Sequence, residues 1–182
     1  MSKIAITGHM SGLGKSLFDK LSIDHTVIGY DIKIGHDLNT CCDDILASLD
    51  DVDIFINNAF CDDKQIYLFD EWYNKYKNHK KTIINMNSLS RYTRQMPNKK
   101  FKDYVVYKKE LDKHTKAVLS HSDRLCRVVS VSPTWLTNSE LVNPPSGAKL
   151  LNVDDVSDII IDMVVEKPQH IELSELTINT LC

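Results

Sequence analysis

The sequence predicts an α/β fold, a doubly wound parallel sheet of about six to seven strands in one domain spanning residues 1–182. Three observations predict it. Short runs rich in Ile and Val alternate along the whole chain with longer segments of helical periodicity, the pattern of repeated βαβ units. The short runs are near-continuously apolar rather than alternating, as parallel strands covered on both faces require. The first run leads directly into a glycine-rich turn, and in such sheets ligands bind at the carboxyl ends of the strands.

Lys3–Thr7 (KIAIT) reads as the first strand, followed by a turn and a helix over 13–21. Thr26–Tyr30 (TVIGY) is the second strand, and a helix over 43–49 leads to a third strand over 53–57 (DIFIN). A helix over 70–79 precedes the fourth strand, Thr82–Met86 (TIINM), and a long helix over 102–120 precedes the fifth, 127–131 (RVVSV). A loop containing Pro and Gly over 138–147 (NSELVNPPSG) comes before a helix over 154–165 and a last strand over 176–179. No internal repeat, low-complexity tract or linker divides the chain.

Composition narrows the function classes. With 22 Lys+Arg against 25 Asp+Glu, the net charge is -3, so there is no basic excess for nucleic acid. No apolar run approaches the roughly 20 residues of a membrane span. The strand-like run begins almost at Met1, and no signal peptide is expected before it. Cysteines at 41, 42, 61, 126 and 182 form no C-x-x-C pair and have no His at ligand spacing. They read as reduced thiols in a cytoplasmic compartment, without a metal site.

The first turn, Thr7-Gly8-His9-Met10-Ser11-Gly12-Leu13-Gly14, carries the sharpest chemistry. Gly8 permits a tight turn, Gly12 lets the backbone approach a pyrophosphate, and Gly14 lets the helix pack close to the sheet. The helix N-terminus then offers free N–H groups and a positive dipole end to a phosphate. Gly14-Lys15-Ser16 imitates the end of a P-loop, but that motif needs a glycine at position 9, where the chain has His9. Asp31, 17 residues beyond Gly14, ends the second strand. A carboxylate there can bind both adenosine ribose hydroxyls and repel a 2′-phosphate, which favours NAD over NADP. A solvated turn aspartate is the other reading of Asp31.

The spacing T-G-x-x-x-G-x-G resembles the short-chain dehydrogenase/reductase family, and further motifs follow in family order. Asn57-Asn58-Ala59 is similar to the N-N-A-G element, with Phe60 where glycine is usual. Residues 83–88 (IINMNS) look like the strand that delivers a catalytic serine, and Tyr104-Val105-Val106-Tyr107-Lys108 matches Y-x-x-x-K. Ser132-Pro133-Thr134-Trp135-Leu136-Thr137 is similar to P-G-x-V-x-T, with Thr134 in place of glycine. The resemblance spans the whole chain and implies a compact Rossmann fold.

It also implies an NAD(H)-dependent oxidoreductase that interconverts a small-molecule carbonyl and alcohol by hydride transfer. The implied catalytic residues are Ser88, Tyr104 and Lys108. The implied cofactor contacts are Gly8, Met10, Ser11, Gly12, Leu13, Gly14, Asp31, Asp37, Leu38, Asn58, Ala59, Tyr104, Lys108, Pro133, Leu136 and Thr137. Tyr104 and Lys108 lie one helical turn apart, and a nearby ammonium is expected to lower the phenol pKa. Ser90 is an alternative to Ser88, and Tyr107 could exchange the role of core aromatic with Tyr104. Asn57 and Asn58 could instead satisfy buried backbone groups.

The chain also departs from the family. It is shorter than its usual members, and the distance from Asp31 to Asp37-Leu38 is too small for the usual second crossover helix, so the neighbouring strand is expected to be short or lost. The family's catalytic asparagine has only Asn74 and Asn78 as candidates, and the loop between Thr137 and Asp154 leaves room for only a small lid. A non-catalytic NAD-binding regulatory or interaction protein is therefore the alternative. A sugar-nucleotide epimerase or reductase shares the Tyr/Lys chemistry but usually needs a larger C-terminal domain. By resemblance the helix over 102–120 pairs with its copy in a homodimer or homotetramer; neither a nucleic-acid nor a membrane partner is expected.

Overall fold

In the computed structural model, residues 1–94, 98–137, 144, 147–166 and 172–180 are described. The chain alternates β1 (Lys3–Thr7), α1 (Gly12–Leu21), β2 (Thr26–Tyr30), α2 (Leu38–Ala47), β3 (Ile54–Asn57), α3 (Lys64–Tyr76), β4 (Thr82–Met86), α4 (Lys99–Leu119), β5 (Arg127–Pro133), α5 (Val153–Ile160) and β6 (Glu175–Ile178). All five strand pairings are parallel, in the order β2-β1-β3-β4-β5-β6. The chain thus moves outward from β1 to β2 and returns on the other side at β3. The crevice at that switch point is where doubly wound sheets bind ligands.

Apolar character along each strand is continuous because successive side chains enter different layers. Ala5, Phe55, Ile83 and Val128 face one layer, packed with Ile45 of α2, Leu68, Phe69 and Trp72 of α3 and Leu111 of α4. Ile4, Ile6, Ile54, Ile56, Ile84 and Val129 face the other, against Leu17 and Leu21 of α1 and Val156 and Ile160 of α5. A short β-branched run therefore serves both faces at once.

Two helices begin well before their predicted starts. α2 starts at Leu38 rather than 43, because Asp37 caps it by accepting the Asn39 N–H at 2.9 Å. α3 starts at Lys64 rather than 70. Its buried face is Gln65, Leu68, Phe69, Trp72, Tyr73 and Tyr76, a regular helical spacing whose first member is polar and so is invisible to an apolar count. β2 gives way to a 3-10 turn, Ile32–Ile34, and Gly35 at φ 90 turns the chain directly to the Asp37 cap. β2 is accordingly an edge strand, as the short span from Asp31 to Asp37 predicts. α5 continues into a π-helical turn at Ile161–Val165.

Most of the predicted 138–147 loop lies outside the described residues, as does Cys182. Its base is closed by Thr137 N–H to the Leu151 carbonyl and Leu151 N–H to the Trp135 carbonyl, both at 2.8 Å. Cys41, Cys42, Cys61 and Cys126 are free thiols. No helix among the described residues is long and apolar enough to cross a membrane.

Candidate active site

The first turn is folded around missing side chains. Gly8 adopts φ 72 and donates its N–H to the Tyr30 carbonyl at 2.7 Å. A Cβ on Gly14 would lie 2.1 Å from the Gly8 carbonyl oxygen and 2.6 Å from Asn58 Nδ2, so α1 meets the turn by backbone contact. Thr7, fully buried, ties β1 to β3: its hydroxyl accepts the Asn58 and Ala59 N–H groups, each at 3.0 Å. Asn58 Nδ2 donates back to the Thr7 carbonyl at 2.9 Å. Gly12, at φ 49, begins α1, and its N-cap Ser11 makes no side-chain cap bond. The first N–H groups of α1 are therefore left for an anion rather than for Ser11. Lys15 pairs with Asp19 on the solvent side of α1.

Asp31 stands at the tip of β2 and is not a solvated turn residue. It is 7% exposed; its carboxylate accepts Met10 N–H at 3.1 Å and Lys33 N–H at 2.9 Å. Each oxygen keeps a further lone-pair site. Asp37 caps α2 and Leu38 packs into the core. Pro133 ends β5. Leu136 bridges to Leu151, while the Thr137 hydroxyl accepts Val153 N–H at 3.3 Å.

At the carboxyl ends of β3 and β4 the predicted catalytic residues come together. The Tyr104 phenol faces Ser88 and Ser90 closely enough for both hydroxyls to act on its proton, and the Ser90 hydroxyl donates to that of Ser88 at 2.9 Å. The Ser88/Ser90 alternative thus resolves into a pair. Tyr104 rather than Tyr107 reaches these hydroxyls. Its ring meets Phe60 edge-on at 4.8 Å and stacks on Phe101 at 6.4 Å. Lys108, 3% exposed, donates to Gln65 Oε1 at 2.8 Å and to the Met86 carbonyl at 2.6 Å. Its Nζ lies 5.4 Å from the Tyr104 ring centroid and 5.6 Å from that of Phe60.

Burial dominates the electrostatics. It drives Lys108 down to about 7, because no carboxylate compensates the ammonium. Burial likewise pushes Tyr104 above its ordinary value, with the Ser88 and Ser90 hydroxyls beside it pulling it partly back. The expected lowering of the phenol pKa by Lys108 is therefore corrected: the phenol moves up with desolvation, and what opposes the rise comes from Ser88 and Ser90 rather than from the lysine.

Two residues of the site were not anticipated. Gln65 occupies the place beside Lys108, whereas Asn74 and Asn78 are exposed at and beyond the other end of α3. Arg91, 2% exposed, holds the turn that carries Ser88. It donates to the Ser88 carbonyl at 3.2 Å and bonds the Ser132 hydroxyl. Its charge is met by Glu175 at 2.5 Å and Asp112 at 3.2 Å. A buried arginine with two acids in three different elements leaves no local pattern; only S-x-x-R, placing it one 3-10 turn after Ser88, was there to read.

No protein-family model matches the sequence, and a search of curated proteins finds no match either. Solved structures do match. A 3-alpha-hydroxysteroid dehydrogenase from Pseudomonas sp. B-0831, complexed with NADH, aligns over 98% of this chain and 95% of its own, with 18% identity and a TM-score of 0.78. A 4-hydroxyisoleucine dehydrogenase complexed with NADH aligns over 98% and 97%, with 20% identity and a TM-score of 0.75. A short-chain dehydrogenase from Burkholderia cenocepacia J2315, in complex with NADP, covers 98% and 88% at 16% identity and a TM-score of 0.73. Over essentially its whole length, the chain has the doubly wound fold of the short-chain dehydrogenases.

Proposed function

We propose that the protein is a short-chain dehydrogenase/reductase, an NAD(H)-dependent oxidoreductase that interconverts a small-molecule carbonyl and alcohol. The observation that carries this reading is the gathering of Tyr104 with the hydrogen-bonded Ser88–Ser90 pair beside buried Lys108, at the same carboxyl end of the sheet as the glycine cradle. The cradle fits a dinucleotide: no side chain is tolerated at Gly14, and the α1 N-terminus lacks a side-chain cap. The similar solved proteins are complexed with NADH or NADP, so the preference for NAD rests on Asp31.

When bound, a nicotinamide dinucleotide supplies or accepts the hydride. Backbone groups of Gly8, Met10, Ser11, Gly12, Leu13 and Gly14 would hold the pyrophosphate, with Asn58 and Ala59 closing the turn behind them, and the free lone pairs of Asp31 would receive the adenosine ribose. Asp37 and Leu38 would lie on the adenine side. Pro133, Leu136 and Thr137 would lie on the nicotinamide side. Ser88 donates to the substrate oxygen. Tyr104 gives its phenolic proton to that oxygen in reduction and takes it back in oxidation, with Lys108 holding the ribose. Because burial raises the Tyr104 pKa, the phenol is protonated at neutral pH, which suits the acid role. A reduced-thiol, cytoplasmic setting and a homo-oligomeric state belong to the same proposal.

The test is NADH oxidation, followed by absorbance, across a panel of aldehydes, ketones and keto-sugars. Turnover that is lost in Tyr104→Phe supports the assignment. Tight NADH binding without turnover of any carbonyl would instead make this a dinucleotide-binding protein that retains only the fold.

A further inference from the structure

Gln65 is the one polar member of the buried face of α3, otherwise Leu68, Phe69, Trp72, Tyr73 and Tyr76. Burying an amide costs free energy unless its groups are paired, and here they are. Nε2 donates to the Asn57 carbonyl at 2.7 Å and the Met86 carbonyl at 3.1 Å. These two acceptors need donors, which fixes the orientation of the amide and leaves Oε1 facing Lys108. Asn57 Nδ2 reciprocates to the Gln65 carbonyl at 2.8 Å and continues to Asn85 Oδ1 at 3.0 Å. Asn85 Nδ2 then reaches Thr115 on α4 at 3.1 Å. The amide is therefore held by two strands and two helices, and it cannot rotate away from the ammonium without breaking this chain.

We infer that Gln65 is a positioning residue: its side-chain carbonyl fixes the Lys108 ammonium and, resting on the function proposed above, sets the charge that Tyr104 meets during proton transfer. Lys108 is faced by Gln65 from α3, the Met86 carbonyl from β4, Phe60 from the loop after β3, and Tyr104 from its own helix. Tyr104 is the titratable group among them. A neutral acceptor stabilises the ammonium less than a carboxylate would, so the lysine can gain or lose its proton near neutrality. Removing the acceptor disfavours the charged form, and replacing it by a carboxylate favours it.

The consequence can be read without any activity. Lys108 titrates at about 7 when folded, against the ordinary 10.5. Below about 7 it is charged in both states, and the folded protein carries the full cost of a buried charge. Between about 7 and 10.5 only the unfolded chain holds the proton, so stability rises with pH through this window. The experiment measures melting temperature against pH for the wild type, Gln65→Met and Gln65→Glu, each subtracted from the same protein carrying Lys108→Met. This subtraction removes the titrating groups that do not interact with Lys108, and the pH at which the difference begins to change marks Lys108, together with the carboxyl it pairs with in Gln65→Glu, in the fold.

The expected result is a shift of about one pH unit or more downward for Gln65→Met and upward for Gln65→Glu. An unchanged onset in all three, or shifts of the same sign, overturns the inference, since a merely structural glutamine would cost stability equally at every pH. If Gln65→Met does not fold, the upward shift in Gln65→Glu decides alone. A wild type that turns over no carbonyl would remove the proposed function, while the melting series would still decide the Gln65–Lys108 link. In an active enzyme the pH profile of kcat shifts in the same two directions.

Discussion

Tyr104 and Asp31 carry the predictions that belong to single side chains. Tyr104→Phe removes one oxygen and leaves the stack on Phe101 and the contact with Phe60. Turnover is expected to fall about 10²–10⁴-fold with NADH affinity retained, as steady-state rates and a fluorescence titration will show. Asp31 should give NADH at least about a tenfold advantage over NADPH, near 1.4 kcal/mol, because a 2′-phosphate would meet a buried carboxylate. Equal affinities would remove the NAD assignment. Asp31→Ala should narrow the gap and also destabilise by about 1–3 kcal/mol, since the Met10 and Lys33 N–H groups lose their acceptor. Lys108, neutralising through about 7, predicts an NADH affinity that weakens as pH rises from 6 to 8, if its charge holds the ribose. An affinity flat across that range in the wild type would mean the lysine acts through its hydrogen bonds alone.

Among elements, the turn between β1 and α1 and the turn after β4 hold the site. Gly14→Ala would drive a Cβ into the Gly8 backbone, where no side chain can move aside. A loss of about 1–3 kcal/mol or more, together with weaker dinucleotide binding, is expected in denaturation and titration. The turn bearing Ser88 depends on Arg91, which joins it to α4, β5 and β6. Arg91→Met leaves Glu175 without its cation and Asp112 with Lys116 alone, and should cost about 3 kcal/mol, at the low end because Glu175 is 37% exposed at its side chain. Turnover should fall with it, through the misplaced serine. The glycine turn was legible because its pattern is local. Gln65 was not, because a polar side chain on the buried face of its helix adds nothing to an apolar pattern, and its partner Lys108 lies 43 residues away.

At the scale of the molecule, α4 turns Phe101, Val105, Lys108, Leu111 and Thr115 inward and leaves Val106 46% exposed on the other side. Pairing of this outer face between two copies is the expected route to a homodimer or homotetramer. Light scattering at micromolar concentration will show it, and a monomer would exclude it. β2 as an edge strand gives the sheet one open margin beside Asp31. The crevice beside Asp31, where the proposed function puts the adenosine, is therefore bounded by the 3-10 turn at Ile32–Ile34 and the start of α2 rather than by another strand.

What the sequence determined by itself is what depends on neighbours along the chain. Continuous apolar runs specify strands buried on both faces, Gly8 and Gly14 specify the turn, and the i,i+4 spacing of Tyr104 and Lys108 puts both on one helix face. Tertiary structure decided what depends on residues distant in sequence. It brought Ser90 to Tyr104 together with Ser88, paired Gln65 with Lys108 across 43 residues and Arg91 with Glu175 across 84. It also decided the direction of the pKa shifts, because desolvation is set by everything that packs around a group and not by the residue one turn away. Spacing can place an ammonium beside a phenol; only the packed interior determines whether it stays charged there.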